Sequence, residues 1–237
     1  MLDFSKFSVL TFDCYGTIID WESGIFSALQ PILAAHDRKV DDVTLLQTYS
    51  ELELEAEQQE PFLSYHEVLA SVVRGFGKKL GFTATESEQR SLAESIAHWH
   101  PFADSVGALR KLKEHFKLVI MSNIDDDLFA QTAPKLEIRF DDVITAQQAR
   151  CYKPGKSIFE LAERRVGVSR ERWLHVGQSL YHDVIPAQAI GLATVWVNRP
   201  SPRAGAGATK AAKAAPDLEV SSLKQLADAA SVFSVTR

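Results

Sequence analysis

Four short apolar runs in this chain each end in polar residues that could take part in a reaction. The polar groups are Asp13 to Thr17 (DCYGT), Ser122 with Asn123, Tyr152 to Pro154 around Lys153, and Gly177-Gln178 through His182-Asp183. Each group alone has an ordinary explanation as a turn, a helix cap or a solvated side chain. A carboxylate, a hydroxyl, an amine and a second carboxylate that meet in one crevice would provide the groups for nucleophilic catalysis.

The elements that would bring these groups together are the strands of an open parallel sheet. Five apolar runs lie at 9–12, 116–123, 140–145, 173–179 and 192–198, and helical patterns cover 104–115, 126–136, 156–166 and 183–190. This alternation is typical of right-handed βαβ units, so the sequence predicts a doubly wound parallel sheet of the α/β class. Such sheets bind ligands at the carboxyl ends of their strands, where Asp13 would lie.

The stretch after the first run has a different pattern. Residues 22–100 contain helical periods only, for example Ile25, Leu29 and Ile32. An inserted helical segment of this size could cover the strand ends. We therefore predict a core domain of residues 1–20 plus 101–237 and a smaller inserted cap domain of residues 21–100.

Composition and charge restrict the class of partner. The 237 residues are 46% hydrophobic and 24% charged, with a net charge of −5, which is typical of a globular protein and argues against a nucleic-acid partner. Cys14 and Cys151 are too few for a disulfide framework. Neither a membrane span nor a signal-peptide pattern is visible. We expect a cytoplasmic protein that binds a small molecule, with a homodimer as one option, and a mobile surface loop at 199–217.

The ordered motifs resemble those of the haloacid dehalogenase superfamily. The matching stretches are FDCYGTIID, IMSN, YKPGKSIFELA and HVGQSLYHDVIPAQAIGLATVWVNR, which cover nearly the whole core. The resemblance implies a Rossmann-like core with a cap domain. It also implies roles for five residues in the reaction: Asp13 as the nucleophile, Thr17 and Ser122 as orienting hydroxyls, Lys153 as the counter-charge of the carboxylates, and Asp183 as the support of Lys153 or of the attacking water.

Tyr15 separates two branches of this superfamily. Phosphatases of the superfamily carry a second Asp at this position, because an alkoxide leaving group needs a general acid. A halide can leave carbon without a proton, and Asp-x-Tyr-Gly-Thr is similar to the (S)-2-haloacid dehalogenase branch. Gln178 stands where magnesium-dependent members have an acid, so we expect no metal and no other cofactor.

The expected reaction is the hydrolysis of short 2-haloacids to 2-hydroxy acids through an aspartyl ester. A Mg²⁺-dependent phosphatase and a catalytically silent binding protein are the alternatives. The family's cap arginine is not matched, since Gln47 or Thr48 takes its place, and Phe159 replaces a family tyrosine. The expected substrate-binding residues are Tyr15, Asn123, Trp21, Gln178 and His182, and the unassigned candidates for halide and carboxylate are Arg38, Arg74, Tyr181 and His182.

Overall fold

The computed structural model describes residues 2–201 and 207–231, and its core is a parallel sheet of six strands. The strands are β1 (Val9–Phe12), β2 (Lys117–Ser122), β3 (Asp142–Thr145), β4 (Trp173–Gly177), β5 (Ala193–Val197) and β6 (Leu218–Val220), and their order in the sheet is β3-β2-β1-β4-β5-β6. All five pairings are parallel. The order reverses direction at β1, which places a crevice beside its carboxyl end.

The sheet is buried on both faces, as its apolar strands require. All four residues of β1 are buried, and β4 is buried along its full length. One apolar cluster covers one face of the sheet and continues into the helices that follow β1. A second cluster, which includes Val9, Met121 and Trp173, covers the other face. The predicted α/β class and doubly wound sheet are confirmed.

Helices lie between the core strands, and one more follows the last strand. They are α5 (Ser105–Lys113), α6 (Asp126–Thr132), α7 (Ala146–Ala149), α8 (Lys156–Val166), α9 (Ile185–Ala189) and α10 (Leu223–Ser231), with a π-helical turn at Leu180–Val184 before α9. Four of them (α5, α6, α8 and α9) lie at nearly the predicted positions. The sequence did not predict α7, β6 or α10. A three-residue strand such as β6 is too short to show a periodic pattern.

The segment after β1 folds into four helices, which we call the helical insertion: α1 (Trp21–Ala35), α2 (Asp42–Glu57), α3 (Tyr65–Leu80) and α4 (Glu86–Ser95). Side chains fix where these helices begin. Ser64 and Thr85 each form a capping box with a glutamate three residues later, and Asp20 and Asp41 accept from backbone N–H groups of the first turn. That the segment 21–100 is a domain of its own stays a prediction.

The described part of the chain contains no helix that is both long and apolar enough to cross a membrane.

Candidate active site

The carboxylate of Asp13 lies directly after β1, where the chain turns sharply. Its backbone N–H donates to the carbonyl of Val176 on β4, so the sheet pairing extends to this residue (2.9 Å). Gly16 has a φ of +91° in the turn, a conformation that L side chains rarely adopt. The turn brings Thr17 back to Asp13, and the Thr17 hydroxyl donates to Asp13 Oδ2 (2.6 Å). The turn and the Thr17 hydroxyl therefore fix the position of Asp13 Oδ2.

The second oxygen of Asp13 is held by Lys153. The Lys153 ammonium donates to Asp13 Oδ1 (2.9 Å), to Asp183 Oδ1 (2.6 Å) and to the carbonyl of Met121 at the end of β2 (3.0 Å). The lysine side chain is 1% exposed. All three of its N–H groups are therefore used, and one buried cation joins three pieces of chain at the carboxyl edge of the sheet.

Burial and charge act in opposite directions on these groups. Burial raises the pKa of Asp13, and the Lys153 charge and the Thr17 hydrogen bond oppose this rise. Burial also disfavours the charge on Lys153, but the two carboxylates outweigh it and raise the Lys153 pKa. For Asp183, Lys153 and His175 overcome burial and hold the carboxyl pKa well below its usual range. Lys153 and Asp183 are thus an ionised buried pair beside the nucleophile.

Asp183 packs against the end of β4 at a glycine. A Cβ on Gly177 would lie 2.4 Å from Cγ of Asp183, so the close approach requires a residue without a side chain. Asp183 Oδ1 contacts His175 Nε2 (3.2 Å), and Asp183 Oδ2 accepts from the backbone N–H of Ser179 (3.2 Å). The π-helical turn Leu180–Val184 thereby directs Asp183 into the sheet edge.

The same turn also carries His182, whose side chain lines the site beside these groups. Its Nδ1 contacts the hydroxyl of Ser179 (3.1 Å), which also accepts the backbone N–H of His182 (3.0 Å). The ring Nε2 is buried and has no hydrogen-bond partner among the described residues. Burial lowers the pKa of His182 to about 4, so the ring is neutral near pH 7. One polar atom of the site is therefore free to contact a ligand.

Helix α2 of the helical insertion lines one side of the site with two glutamates, Glu53 and Glu57. Glu53 accepts at Oε1 from the hydroxyls of Tyr65 (2.6 Å) and Tyr49 (2.9 Å), and burial raises its pKa to about 7. One turn later, Glu57 accepts at Oε1 from the amide Nδ2 of Asn123 (3.1 Å). Its side chain is 5% exposed. Burial, and next the Glu53 charge, raise the pKa of Glu57 well above its ordinary value.

These groups line a cavity of about 40 Å³. By this measure a water molecule needs about 10–15 Å³, so the cavity holds roughly three waters. Its lining comprises Asp13, Tyr15, Trp21, Glu53, Glu57, Tyr65, Ser122, Asn123, Lys153, Gln178, Ser179, His182, Asp183 and Thr209. Among these described lining residues Lys153 is the one lysine, and there is no arginine. The site suits a small ligand that is enclosed on binding.

The comparison with known proteins agrees with this arrangement. Residues 7–191 match the family model of the haloacid dehalogenase-like hydrolases. The chain belongs to this family. It is 27% identical over 199 residues to haloacetate dehalogenase H-2 of Moraxella sp. (strain B), an alignment that covers 82% of this chain and 87% of the relative.

Two further matches bear on the two branches of the haloacid dehalogenase-like hydrolases. The L-2-haloacid dehalogenase structure from Xanthobacter autotrophicus superposes with a TM-score of 0.77 at 22% identity and covers 94% of this chain and 97% of that one. At this identity it shows the fold alone. Glyceraldehyde 3-phosphate phosphatase of Methanothermobacter thermautotrophicus is 32% identical over 101 residues, but that alignment covers 41% of this chain and 45% of the relative. The chain is thus a hydrolase of the family, with dehalogenases among its relatives.

The residues predicted from sequence meet at this one cavity of the hydrolase. Nine of the ten line it, and the tenth, Thr17, contacts Asp13. The Tyr15 hydroxyl bonds with Thr132 (2.8 Å) and its ring packs edge-on against Trp99, so this side chain is held by the scaffold. The catalytic and binding roles of the ten residues stay predictions.

The remaining candidates for anion binding lie elsewhere. Arg38 donates to the carbonyl of Leu80, and Arg74 donates to Gln89 within the helical insertion, so both support helix ends or surfaces. The Tyr181 ring lies under the Lys210 ammonium, 4.4 Å from its centroid. None of these three side chains is among the described residues that line the cavity. A positively charged substrate-binding residue is therefore not found at these positions.

The expectation that the loop at 199–217 lies on the surface is wrong for part of this segment, and its mobility stays a prediction. Residues 202–206 lie outside the described residues, but Ala208 is buried and its N–H donates to Glu22 (3.2 Å). The hydroxyl of Thr209 donates to Oε1 of Gln178 (3.1 Å) and lines the cavity. The sequence did not predict this packing, because a segment of small residues without a periodic pattern gives no signal of burial.

The donor set does not fit the Mg²⁺ site of the phosphatase alternative. Mg²⁺ prefers oxygen ligands, several of them charged. Asp183 Oδ1 accepts from Lys153 and contacts His175, Asp183 Oδ2 accepts from Ser179, and Lys153 also binds one oxygen of Asp13. The Gln178 side-chain oxygen accepts from Thr209. The ammonium of Lys153 thus lies between the two carboxylates that would have to share a metal ion.

Glu53 and Glu57 were missed by the sequence interpretation. The signal was present, because Leu45, Tyr49, Glu53 and Glu57 follow one another at four-residue steps on α2 and so share a face. A face that carries a buried leucine and a buried tyrosine also buries the acids that continue it.

Proposed function

We propose that this hydrolase displaces halide from short 2-haloacids through attack by Asp13 on carbon. The observation that supports the proposal best is the state of the Asp13 carboxylate. Lys153 holds one of its oxygens and Thr17 the other, and the whole group faces a small cavity that the helical insertion lines on one side. A fixed and largely desolvated carboxylate opposite an enclosed small ligand suits nucleophilic catalysis.

The reaction would run in two steps. An oxygen of Asp13 attacks the halogen-bearing carbon from the side opposite the halogen, a C–O bond forms, and halide leaves with the bonding electrons. Water then adds to the carbonyl carbon of the resulting ester, the C–O bond to Asp13 Cγ breaks, and a 2-hydroxy acid of inverted configuration is released. Lys153 stabilises the charge that returns to the carboxylate in the second step.

The alternatives have less support. A phosphatase needs a leaving-group acid at the position of Tyr15, whose hydroxyl is bonded to Thr132, and a metal-binding acid at the position of Gln178, whose side-chain oxygen accepts from Thr209. A silent binding protein would have no need of a buried Asp13 carboxylate held at both oxygens, because burying a charge costs stability. The predicted cytoplasmic location and homodimer stay predictions.

The test is a substrate panel with two readouts. Chloro- and bromoacetate and 2-chloropropionate are compared with p-nitrophenyl phosphate, and the release of halide and of phosphate is measured in excess EDTA and with added Mg²⁺. We expect halide release that is independent of EDTA, and negligible phosphate release. In ¹⁸O-water, the first turnover should place label in Asp13 and not in the product. Halide release absent throughout, with Mg²⁺-dependent phosphate release, would move the assignment to the phosphatase.

A further inference from the structure

The direction of attack determines which wall of the cavity meets the leaving group. Asp13 enters the cavity from the carboxyl edge of the sheet, whereas Glu57 enters from helix α2 of the helical insertion. Displacement at carbon proceeds in line, so the bond that breaks points away from the Asp13 oxygen. The leaving group is therefore directed away from Asp13 and toward the walls that α2 and the His182 turn supply.

Glu57 and His182 leave a gap between two polar atoms on those walls. Glu57 Oε1 is occupied by the amide of Asn123, but Oε2 lies 4.0 Å from His182 Nε2, too far for a hydrogen bond. His182 Nε2 is buried without a partner among the described residues. Because an unpaired buried polar atom is costly, this gap is suited to a polar atom of the substrate.

Hydrogen positions in this gap follow from the neighbouring bonds. Asn123 donates to Glu57 Oε1, so a proton on the Glu57 carboxyl resides on Oε2 and faces the gap. Ser179 accepts the backbone N–H of His182, and we assign its hydroxyl hydrogen to Nδ1, the tautomer that places the ring hydrogen on Nε2. Both atoms at the gap are then donors.

The surroundings of Glu57 favour its protonated form. Glu53 faces it from the same helix, Tyr152 and Lys153 face it from the loop after α7, and His182 faces it from the π-helical turn. Of these only Lys153 is a cation near pH 7, and its three N–H groups are used elsewhere. Burial accordingly raises the pKa of the Glu57 carboxyl well above its ordinary value.

We propose that Glu57 is the leaving-group acid of this enzyme and that His182 Nε2–H is a second donor to the same group. This proposal rests on the proposed function. When Asp13 attacks, the C–X bonding electrons pass to X, X takes the proton from Glu57 Oε2, and the electrons of that O–H bond stay on Glu57. During ester hydrolysis the Glu57 carboxylate accepts a proton from water, so that R–X and H₂O give R–OH and HX.

The acid absent at Tyr15 is thereby supplied from the helical insertion. General acid catalysis contributes about 10²–10⁴-fold and helps most where the leaving group is basic. Fluoride is the most basic of the halides and the strongest hydrogen-bond acceptor among them. The geometry therefore points to C–F bonds as the substrates that depend on Glu57, and to bromides as the substrates that do not.

The experiment compares Glu57→Gln with Glu55→Gln on fluoroacetate and bromoacetate. Glu55 is an exposed acid of the same helix and serves as the matched control. We expect Glu57→Gln to lower kcat/KM for fluoroacetate by about 10²-fold or more and to change kcat/KM for bromoacetate by less than about fivefold. In the wild type, fluoride release should fall as pH rises through the pKa of Glu57, and this fall should be absent in Glu57→Gln. Glu55→Gln should match the wild type.

Several results would overturn the proposal. These are bromide release by the wild type without fluoride release, equal losses on both substrates in Glu57→Gln, and unchanged activity on both. Should Glu57→Gln fail to fold, the wild type still decides, because the solvent deuterium isotope effect on ester formation must be larger for fluoroacetate than for bromoacetate. A wild type that releases no halide from either substrate refutes the proposed function itself.

Discussion

Replacing Lys153 by methionine removes the cation that lies between two buried carboxylates while nearly preserving side-chain length. Asp183 lies 2.6 Å and Asp13 2.9 Å from the ammonium, and Lys153 is 1% exposed. Removing one partner of a buried ion pair costs about 3–5 kcal/mol, because the other charge stays buried and uncompensated. For a chain of this size about 2–4 °C of Tm correspond to 1 kcal/mol, so the expected loss is roughly 6–20 °C.

The loss should grow with pH. In the wild type Lys153 depresses the pKa of Asp183, so the stability from this group is present above the unfolded value of about 3.9 and is lost as pH falls through the folded value. Without Lys153, burial raises the pKa of both carboxyls above their unfolded values. The folded variant then favours the protonated forms, and its stability falls as pH rises through these raised values.

Urea unfolding at pH 5 and pH 8 measures this difference, with Lys156→Met as the matched control, since Lys156 is exposed at the start of α8. Halide release should fall by at least about 10²-fold, the usual cost of one lost electrostatic contact to reacting atoms. A penalty below about 1 kcal/mol, or one equal at both pH values, would refute the view that Lys153 is the counter-charge of both carboxylates.

Two other variants test the nucleophile and the close packing beneath Asp183. Asp13→Asn should abolish halide release and retain the fold, because an amide oxygen is a far weaker nucleophile than a carboxylate; substantial turnover, with deamidation excluded by mass, would contradict the assignment. Gly177→Ala should lower stability by about 1–3 kcal/mol, because its Cβ would lie 2.4 Å from Asp183 Cγ. The control is Gly107→Ala in α5, where nothing lies within 4 Å of the added Cβ, and the stability of this variant should rise by up to about 1 kcal/mol. Equal Tm shifts in the two alanine variants would show that the packing of Asp183 against residue 177 accommodates a Cβ without loss of stability.

The sequence predicted the sheet because its strands are buried on both faces and therefore appear as continuous apolar runs. It predicted the gathering of Asp13, Lys153 and Asp183 because the carboxyl ends of parallel strands share an edge. The apolar runs are a local signal, and the shared edge of the strand ends follows from a general rule of sheet topology. The catalytic roles of these three residues still await the experiments above.

The walls contributed by other segments were harder to predict. Glu53 and Glu57 reach the cavity because α2 packs across the strand ends, and the packing of an inserted helix is not encoded in any short motif. Thr209 reaches it from a segment of small residues that carries no periodicity. Residues of this kind become visible only when the burial of a whole helix face, or of a loop, is known.

The three hydrogen bonds of Lys153 also bear on how relatives of this chain should be interpreted. Its ammonium joins the ends of the neighbouring strands β2 and β1 and the turn after β4, so it cross-links the sheet edge as well as neutralising the nucleophile. A descendant that had lost its catalytic activity would still lose stability at this edge without the lysine. Persistence of a lysine at this position in other sequences therefore indicates the architecture, and only the aspartate after β1 can report whether the chemistry survives.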